Sequence, residues 1–193
     1  MRLIYIYIFL CIPFFLSAAE KSEKNDRNIY SGGMHILQPS YLMFQNSHGS
    51  FSTVGSGIGG ILRFYIGSNL SAGIYGGSQR ASYDTEKSEA SYINLGHGGL
   101  FLGLTHKAGR WRYNASMGVG RGGINNLHVE SQNENELSEA FLYDFGTAVY
   151  VPFVGVDYEL TKRLLLTLQT SYFFADKMNY QNPVLQIGLL FNR

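Results

Sequence analysis

Apolar and polar residues alternate with a period of two along most of this chain, which is the pattern of β-strands whose two faces meet different surroundings. The clearest example is the segment 183–193. The residues on one of its faces are apolar, and they are Pro183, Leu185, Ile187, Leu189 and Phe191. The other face is small and half polar, with Gln186 and Gly188 near its centre. An apolar face that ends on an aromatic residue is typical of a strand that faces lipid.

Eight alternating segments follow one another from residue 31 onward. They lie at about 33–45, 55–66, 70–83, 91–105, 111–122, 144–160, 164–174 and 183–193. We predict that the apolar face of each segment points outward and that the polar, glycine-rich face points inward. In the fourth segment the phase of the alternation changes at Gly98 and Gly99, which predicts a β-bulge there.

The connections between these segments also alternate in length. Tight turns at 67–69, 107–110 and 161–163 contrast with longer polar connections at 46–54, 84–90, 123–143 and 175–181. Short turns at one end and long loops at the other are typical of membrane barrels with short periplasmic turns. The sequence therefore predicts an all-β fold over residues 31–193, an eight-stranded antiparallel up-and-down transmembrane β-barrel. A soluble, lipocalin-like periplasmic barrel for a small apolar ligand is an alternative, and it requires the two faces to be exchanged.

The first residues predict export. Arg2, an apolar run to Leu16 and the small residues 17–19 form a secretory signal peptide over residues 1–19, cleaved after Ala19. A polar lead-in follows over residues 20–30. The single cysteine, Cys11, lies in the signal peptide, so disulfide, cysteine-metal and thiol chemistry are excluded from the mature chain.

Charge and motifs argue against several kinds of site. Without Arg2 the basic residues fall from 15 to 14, against 14 acidic residues, so nothing indicates a nucleic-acid partner. The five histidines lack metal-ligand spacing, and we predict no metal site and no cofactor. Two G-x-G-x-x-G patterns begin at Gly55 and Gly118, but neither is followed by a helical segment, so neither predicts a nucleotide site.

If the chain folds as the predicted barrel, two groups of residues have predictable positions, one in the lumen and one at the membrane interface. Four inward charges lie near the short-turn end, where we predict a charge-paired plug of a packed lumen, and they are Arg63, Arg112, Asp157 and Glu159. Aromatic residues beside the short turns or the C-terminus predict an interface girdle, and they are Phe64, Trp111, Tyr158 and Phe191. A second set near the long connections predicts an outer girdle, and it contains Tyr83, Tyr92, Tyr143, Phe174 and Tyr180.

With its signal peptide, alternating segments, loop rhythm and terminal Leu185-x-Ile187-x-Leu189-x-Phe191, the chain resembles the small eight-stranded outer-membrane barrels of Gram-negative bacteria, the OmpX-like and OmpA-transmembrane-domain group. The resemblance covers the whole mature chain. It implies an outer-membrane location, with lipid and lipopolysaccharide as neighbours. It also implies insertion by the barrel-assembly machinery through the C-terminal strand, and a functional surface made by the outer loops.

The main functional hypothesis is a non-enzymatic barrel with a structural or surface-interaction role, whose contact surface is the longest loop, 123–143. The alternative is an outer-membrane enzyme that modifies lipid A. His48 and Ser50 form a His-x-Ser pattern similar to that of lipid A deacylases, with His48 as base and Ser50 as nucleophile. We expect this pair to lie in a solvated loop, where that chemistry is disfavoured.

Overall fold

The computed structural model describes residues 29–193 apart from 86–87 and 134–135, so the predicted signal peptide and most of the lead-in lie outside the described residues. The side chains of residues 89–90, 131–133 and 136–138 are also outside the description. The strands are β1 Tyr30–Asn46, β2 Gly49–Ile66, β3 Leu70–Thr85, β4 Ser88–Ala108, β5 Trp111–Asn133, β6 Glu136–Thr161, β7 Leu164–Ala175 and β8 Tyr180–Asn192. One short 3-10 helix, Lys177–Asn179, precedes β8. No helix in these described ranges is long and apolar enough to cross a membrane.

The strands form a closed barrel. Each strand pairs antiparallel with the next, and β8 pairs with β1, so the order around the barrel is the order along the chain. The two ends of the sheet are joined by backbone hydrogen bonds: Ile29 N donates to Arg193 O at 2.6 Å, and Arg193 N donates to Tyr30 O at 3.0 Å. The predicted eight-stranded up-and-down barrel is confirmed.

The apolar faces point outward, as the alternation predicts. Leu100, Met117 and Val154 are 64%, 55% and 58% exposed, although they lie in the middle of their strands. Inward neighbours such as Phe101 and Phe153 are buried. A soluble ligand-binding barrel would need the opposite orientation, because exposed apolar side chains are costly in water.

The interior is not polar throughout. The half of the lumen nearest the long connections contains much of a hydrophobic core, including Leu42, Phe44, Ile93, Leu95, Ile124, Val149, Phe173 and Tyr180. The buried charged residues Arg63, Arg112 and Asp157 lie in the other half. A narrow barrel has no room for bulk water, so its interior gains free energy from apolar packing in the same way as a soluble core.

The predicted bulge at Gly98 is wrong. Gly98 pairs with Gly76 on β3 and with Arg121 on β5, without any shift of register. Ile93 and Leu95 belong to the interior and Leu100 to the outer face, so the apolar residues change from one face to the other while the strand keeps its regular alternation. Register shifts lie elsewhere, for example in β1 between His35 and Gln38, where Ile36 and Leu37 both point outward.

Two predicted loops are largely strand. Residues 49–54 belong to β2, which leaves a tight turn at Ser47 and His48. The predicted loop 123–143 is a β-hairpin of β5 and β6, in which Ile124 pairs with Phe145 and Val129 with Ala140. Alternation is weak in the sequence there because the buried face of β5 includes the polar Asn126 and His128, and because residues 139–146 of β6 are exposed or half-buried on both faces. The backbone groups still need partners, so the segment pairs as strands.

Candidate functional site

An ion pair crosses the lumen near the short turns. Arg63 Nη1 on β2 donates to Asp157 Oδ2 on β6 at 2.8 Å, and both side chains are almost fully buried. Asn114 Nδ2 on β5 donates to the same carboxylate oxygen at 2.9 Å, and Thr105 donates to Asn114 Oδ1 at 3.0 Å. The cost of burying two charges is offset by this pairing and by the added hydrogen bond.

The other two predicted members of the plug have different partners. Arg112 Nη1 donates to the Tyr65 hydroxyl at 2.6 Å, and its guanidinium lies 4.3 Å from the centre of that ring. Glu159 faces Lys107 Nζ at 3.5 Å, close to the barrel end. The structure thus brings Arg63 and Asp157 together and places Arg112 and Glu159 in separate contacts. Nothing in the sequence indicated Tyr65 and Lys107 as partners, because pairing across the lumen depends on strand register.

A layer of amide side chains fills the middle of the barrel. Gln79 Nε2 donates to Gln38 Oε1 at 2.6 Å, and Gln169 Nε2 donates to Gln186 Oε1 at 2.7 Å. Gln186 Nε2 joins the two pairs through Gln38 Oε1 at 3.2 Å. All four glutamines are predicted to point inward, but the alternation alone does not place them at one height.

Little space remains in this layer. A cavity of about 20 Å³ lies among His35, Tyr75, His97 and Gln169, which is room for about one water molecule. Gly118 leaves space for the Tyr75 ring, since a Cβ there would lie 2.8 Å from Tyr75 Cε1. The lumen is therefore packed by side chains at this layer.

The predicted girdle residues lie on the outer surface near the short-turn end. Phe64, Trp111 and Phe191 are 44%, 46% and 66% exposed. Trp111 and Tyr158 are opposite each other on β5 and β6, with ring centroids 4.6 Å apart. This is the geometry expected of aromatic side chains at a lipid–water interface.

The predicted outer girdle is wrong for two of its members. Tyr83 and Tyr180 are 5% and 1% exposed, because they point into the interior and join the hydrophobic core. Phe174 does point outward, and so do Tyr41 and Tyr150, which the alternation places on the outer face although they were not included in the predicted outer girdle. The longer polar connections obscure the phase of the strands at this end, so sequence position alone did not separate the two faces.

The His48 and Ser50 pair is not assembled for catalysis. His48 lies in the β1–β2 turn, where its Nδ1 contacts the hydroxyls of Ser47 at 3.2 Å and Tyr143 at 3.1 Å. Its Nε2 lies 3.7 Å from Glu130 Oε2, which is beyond hydrogen-bond distance. Ser50 lies on β2, exposed to solvent. The hydroxyl beside His48 is therefore that of Ser47, and the base lacks a hydrogen-bonded carboxylate.

His48 has instead a close aromatic partner that the sequence did not indicate. Its ring stacks on the ring of His128, with centroids 4.3 Å apart and planes at 17°. Phe141 lies 4.6 Å from His48 on the β6 side. Across the described part of the chain, no three His, Cys, Asp or Glu side chains are grouped so as to hold a metal ion.

Comparisons with known proteins agree with this geometry. No protein-family model matches the chain, and no curated protein matches it. Among solved structures, Neisserial surface protein A is similar with a TM-score of 0.54 and 12% identity, over 84% of this chain and 95% of that chain. Ail, the attachment invasion locus protein of Yersinia pestis, is similar with a TM-score of 0.51 and 11% identity, over 85% of this chain and 96% of that chain. The resemblance to small outer-membrane barrels is thus confirmed at the level of the fold.

Proposed function

We propose that this chain is a non-enzymatic barrel of the bacterial outer membrane, which carries a surface-interaction hairpin on a packed, lipid-embedded scaffold. The observation that carries the proposal is the outward orientation of the apolar faces around a closed barrel. Leu102 and Ile74, for example, are 62% and 50% exposed, which suits acyl chains and not water. Outer-membrane lipid and lipopolysaccharide are then the neighbours of these outward apolar side chains, and the barrel-assembly machinery would engage β8.

A packed lumen supports a scaffold role over a pore. The Arg63–Asp157 pair, the glutamine layer and the hydrophobic core follow one another along the axis. Eight strands enclose only enough space for side chains, so solute flux would require these layers to separate.

The β5–β6 hairpin is the surface best suited to contact a partner. On the β7 side, the pairing of β6 begins only at Val149, which is opposite Ala175. The edge of β6 before Val149 therefore extends past the end of β7 and has backbone groups available to another strand. Leu142 is 68% exposed on this part of β6 and adds apolar contact area. Ail and Neisserial surface protein A, the two similar structures, are named as an attachment protein and a surface protein.

Membrane fractionation with surface proteolysis tests the location and the topology. We expect the protein to leave the outer-membrane fraction only with detergent. Protease added to intact cells should cut the protein within 123–143 and should not cut it at the short turns. Release by salt or carbonate, without detergent, would contradict the proposal, since it would mean that the apolar faces do not meet acyl chains.

A further inference from the structure

The mouth of the barrel at the long-hairpin end is closed by a contact between hairpins that are not adjacent in the sheet. His48 occupies the tip of the β1–β2 hairpin, and His128 lies on β5. Their rings stack with centroids 4.3 Å apart. Strand pairing does not hold these two elements together, because β1 and β2 have no ladder with β5. The tip is held across the mouth by side-chain contacts.

The surroundings of His128 favour the neutral form of its ring. Its side chain is buried, and its Nδ1 lies 3.1 Å from the hydroxyl of Tyr83. Asn126 Nδ2 donates to that hydroxyl oxygen at 2.8 Å. The Tyr83 hydroxyl can donate its own hydrogen to His128 Nδ1, so the neutral ring has a hydrogen-bond partner in the closed state. Phe51 covers the ring from β2, with centroids 5.5 Å apart.

His48 is in a different situation, because a carboxylate faces it. Its Nε2 is 3.7 Å from Glu130 Oε2, and the side chains of His48 and Glu130 are 24% and 52% exposed. His48 therefore lies beside a carboxylate and is partly open to water. A proton on His128 would be shielded from water and would lie against the ring of His48, with only the more distant influence of Glu130 to favour it.

We propose that the His48–His128 stack is a pH-sensitive latch, which holds the β1–β2 tip on the β5–β6 hairpin while His128 is neutral and releases it when His128 is protonated. Release uncovers the aromatic side chains beneath the tip, Phe51 and Tyr83, whose ring centroids are 5.0 Å apart. It does not open the lumen, because the packed layers lie below.

The sign of the pH dependence follows from the surroundings of His128. Burial, and then the neighbouring His48, lower the pKa of His128, while Glu130 raises it. A lowered pKa in the closed state means that closure is fully favoured above the ordinary histidine value of about 6.5, and that this preference is lost as the pH falls through the lowered value. The other titratable groups described at the latch are Tyr83 on β3 and Tyr143 on β6.

Hydrogen–deuterium exchange of the tip amides in lipid nanodiscs tests the latch. For the native chain we expect exchange over residues 42–52, corrected for the intrinsic rate, to rise about tenfold between about pH 7.5 and about pH 5. His128→Phe keeps an aromatic stack without a titrating group, and it should remove the rise. His106→Phe, on β4 near the opposite end of the barrel, is the matched control and should keep it.

A second variant changes the response in the other direction. Glu130→Gln removes the counter-charge that favours the protonated closed state, so release should begin at a higher pH than in the native chain. The proposal is overturned if the native tip shows no acid-dependent exchange, or if His128→Phe retains the full rise. It is also overturned if Glu130→Gln leaves the response unchanged, and this variant decides the matter if His128→Phe does not fold.

Discussion

Arg63 and Asp157 are bound to each other across the lumen at 2.8 Å, although they lie on β2 and β6, which share no hydrogen-bond ladder. The pair therefore ties opposite walls of the barrel together. Its removal should affect stability much more than the loss of a charge contact at the barrel end.

Removal of one partner of the buried ion pair should be strongly destabilising. Asp157→Ala leaves the Arg63 guanidinium buried without its counter-charge, and we expect a loss of about 3–5 kcal/mol in the free energy of unfolding. Urea titration of the barrel in lipid vesicles measures this. Glu159→Gln is the control, because it breaks only the more exposed contact with Lys107 and should cost less than about 1 kcal/mol. Equal effects of the two substitutions would contradict a special role for the crossing pair.

The destabilisation caused by an arginine on the lipid-facing surface should depend on its depth in the membrane. Val154 lies on the outer face midway between Tyr150 and Tyr158, so Val154→Arg should cost about 2–4 kcal/mol in vesicles. Ile66→Arg, beside a short turn, should cost only about 0–1 kcal/mol. Unfolding midpoints of the two variants give the comparison. If both positions tolerate arginine equally, this surface does not lie in hydrocarbon.

Gly118 should not tolerate a larger side chain. A Cβ at this position lies 2.8 Å from the Tyr75 ring in a packed interior, so Gly118→Val should destabilise the barrel by about 1–3 kcal/mol. Gly96→Ala, where a Cβ meets nothing within 4 Å, is the control. Tyr75→Ala combined with Gly118→Val should recover part of the loss. A double variant with simply additive losses would argue against a direct clash.

The packed lumen predicts low conductance. Purified barrel in planar bilayers should show no large, stable open steps, because the layers at Arg63, at Gln38 and in the hydrophobic core fill the axis. Asp157→Ala is informative here too, since a loosened plug would give brief openings before any wide pore appears. Regular large steps in the native protein would contradict the packed scaffold.

A non-enzymatic role predicts unchanged lipid A. Mass spectrometry of lipid A from cells with and without the protein should show the same acylation. Cells with His48→Phe or Ser50→Ala should match both, because the His48 ring contacts Ser47 and not Ser50. A loss of acyl chains that depends on His48 would restore the deacylase alternative.

The sequence was most informative where lipid is the solvent. Leu102, Val154 and Phe191 face outward as predicted, since a membrane strand must alternate and a shift of one residue would reverse both faces. It was misleading at Gly98, where a change from interior to exterior apolar residues resembled a bulge. It was also misleading at 123–143, where polar residues on both faces resemble a loop although β5 and β6 pair as a hairpin.

What the sequence by itself determined is the alternation, and with it the number of strands, the outward apolar faces and the inward position of Arg63, Asp157 and the glutamines. Only the tertiary structure decided which inward residues meet. Arg63 binds Asp157, Arg112 donates to Tyr65, and His48 stacks on His128. The physical reason is that alternation is a local property of one strand, whereas contacts across a closed barrel depend on the register of all the strands between them.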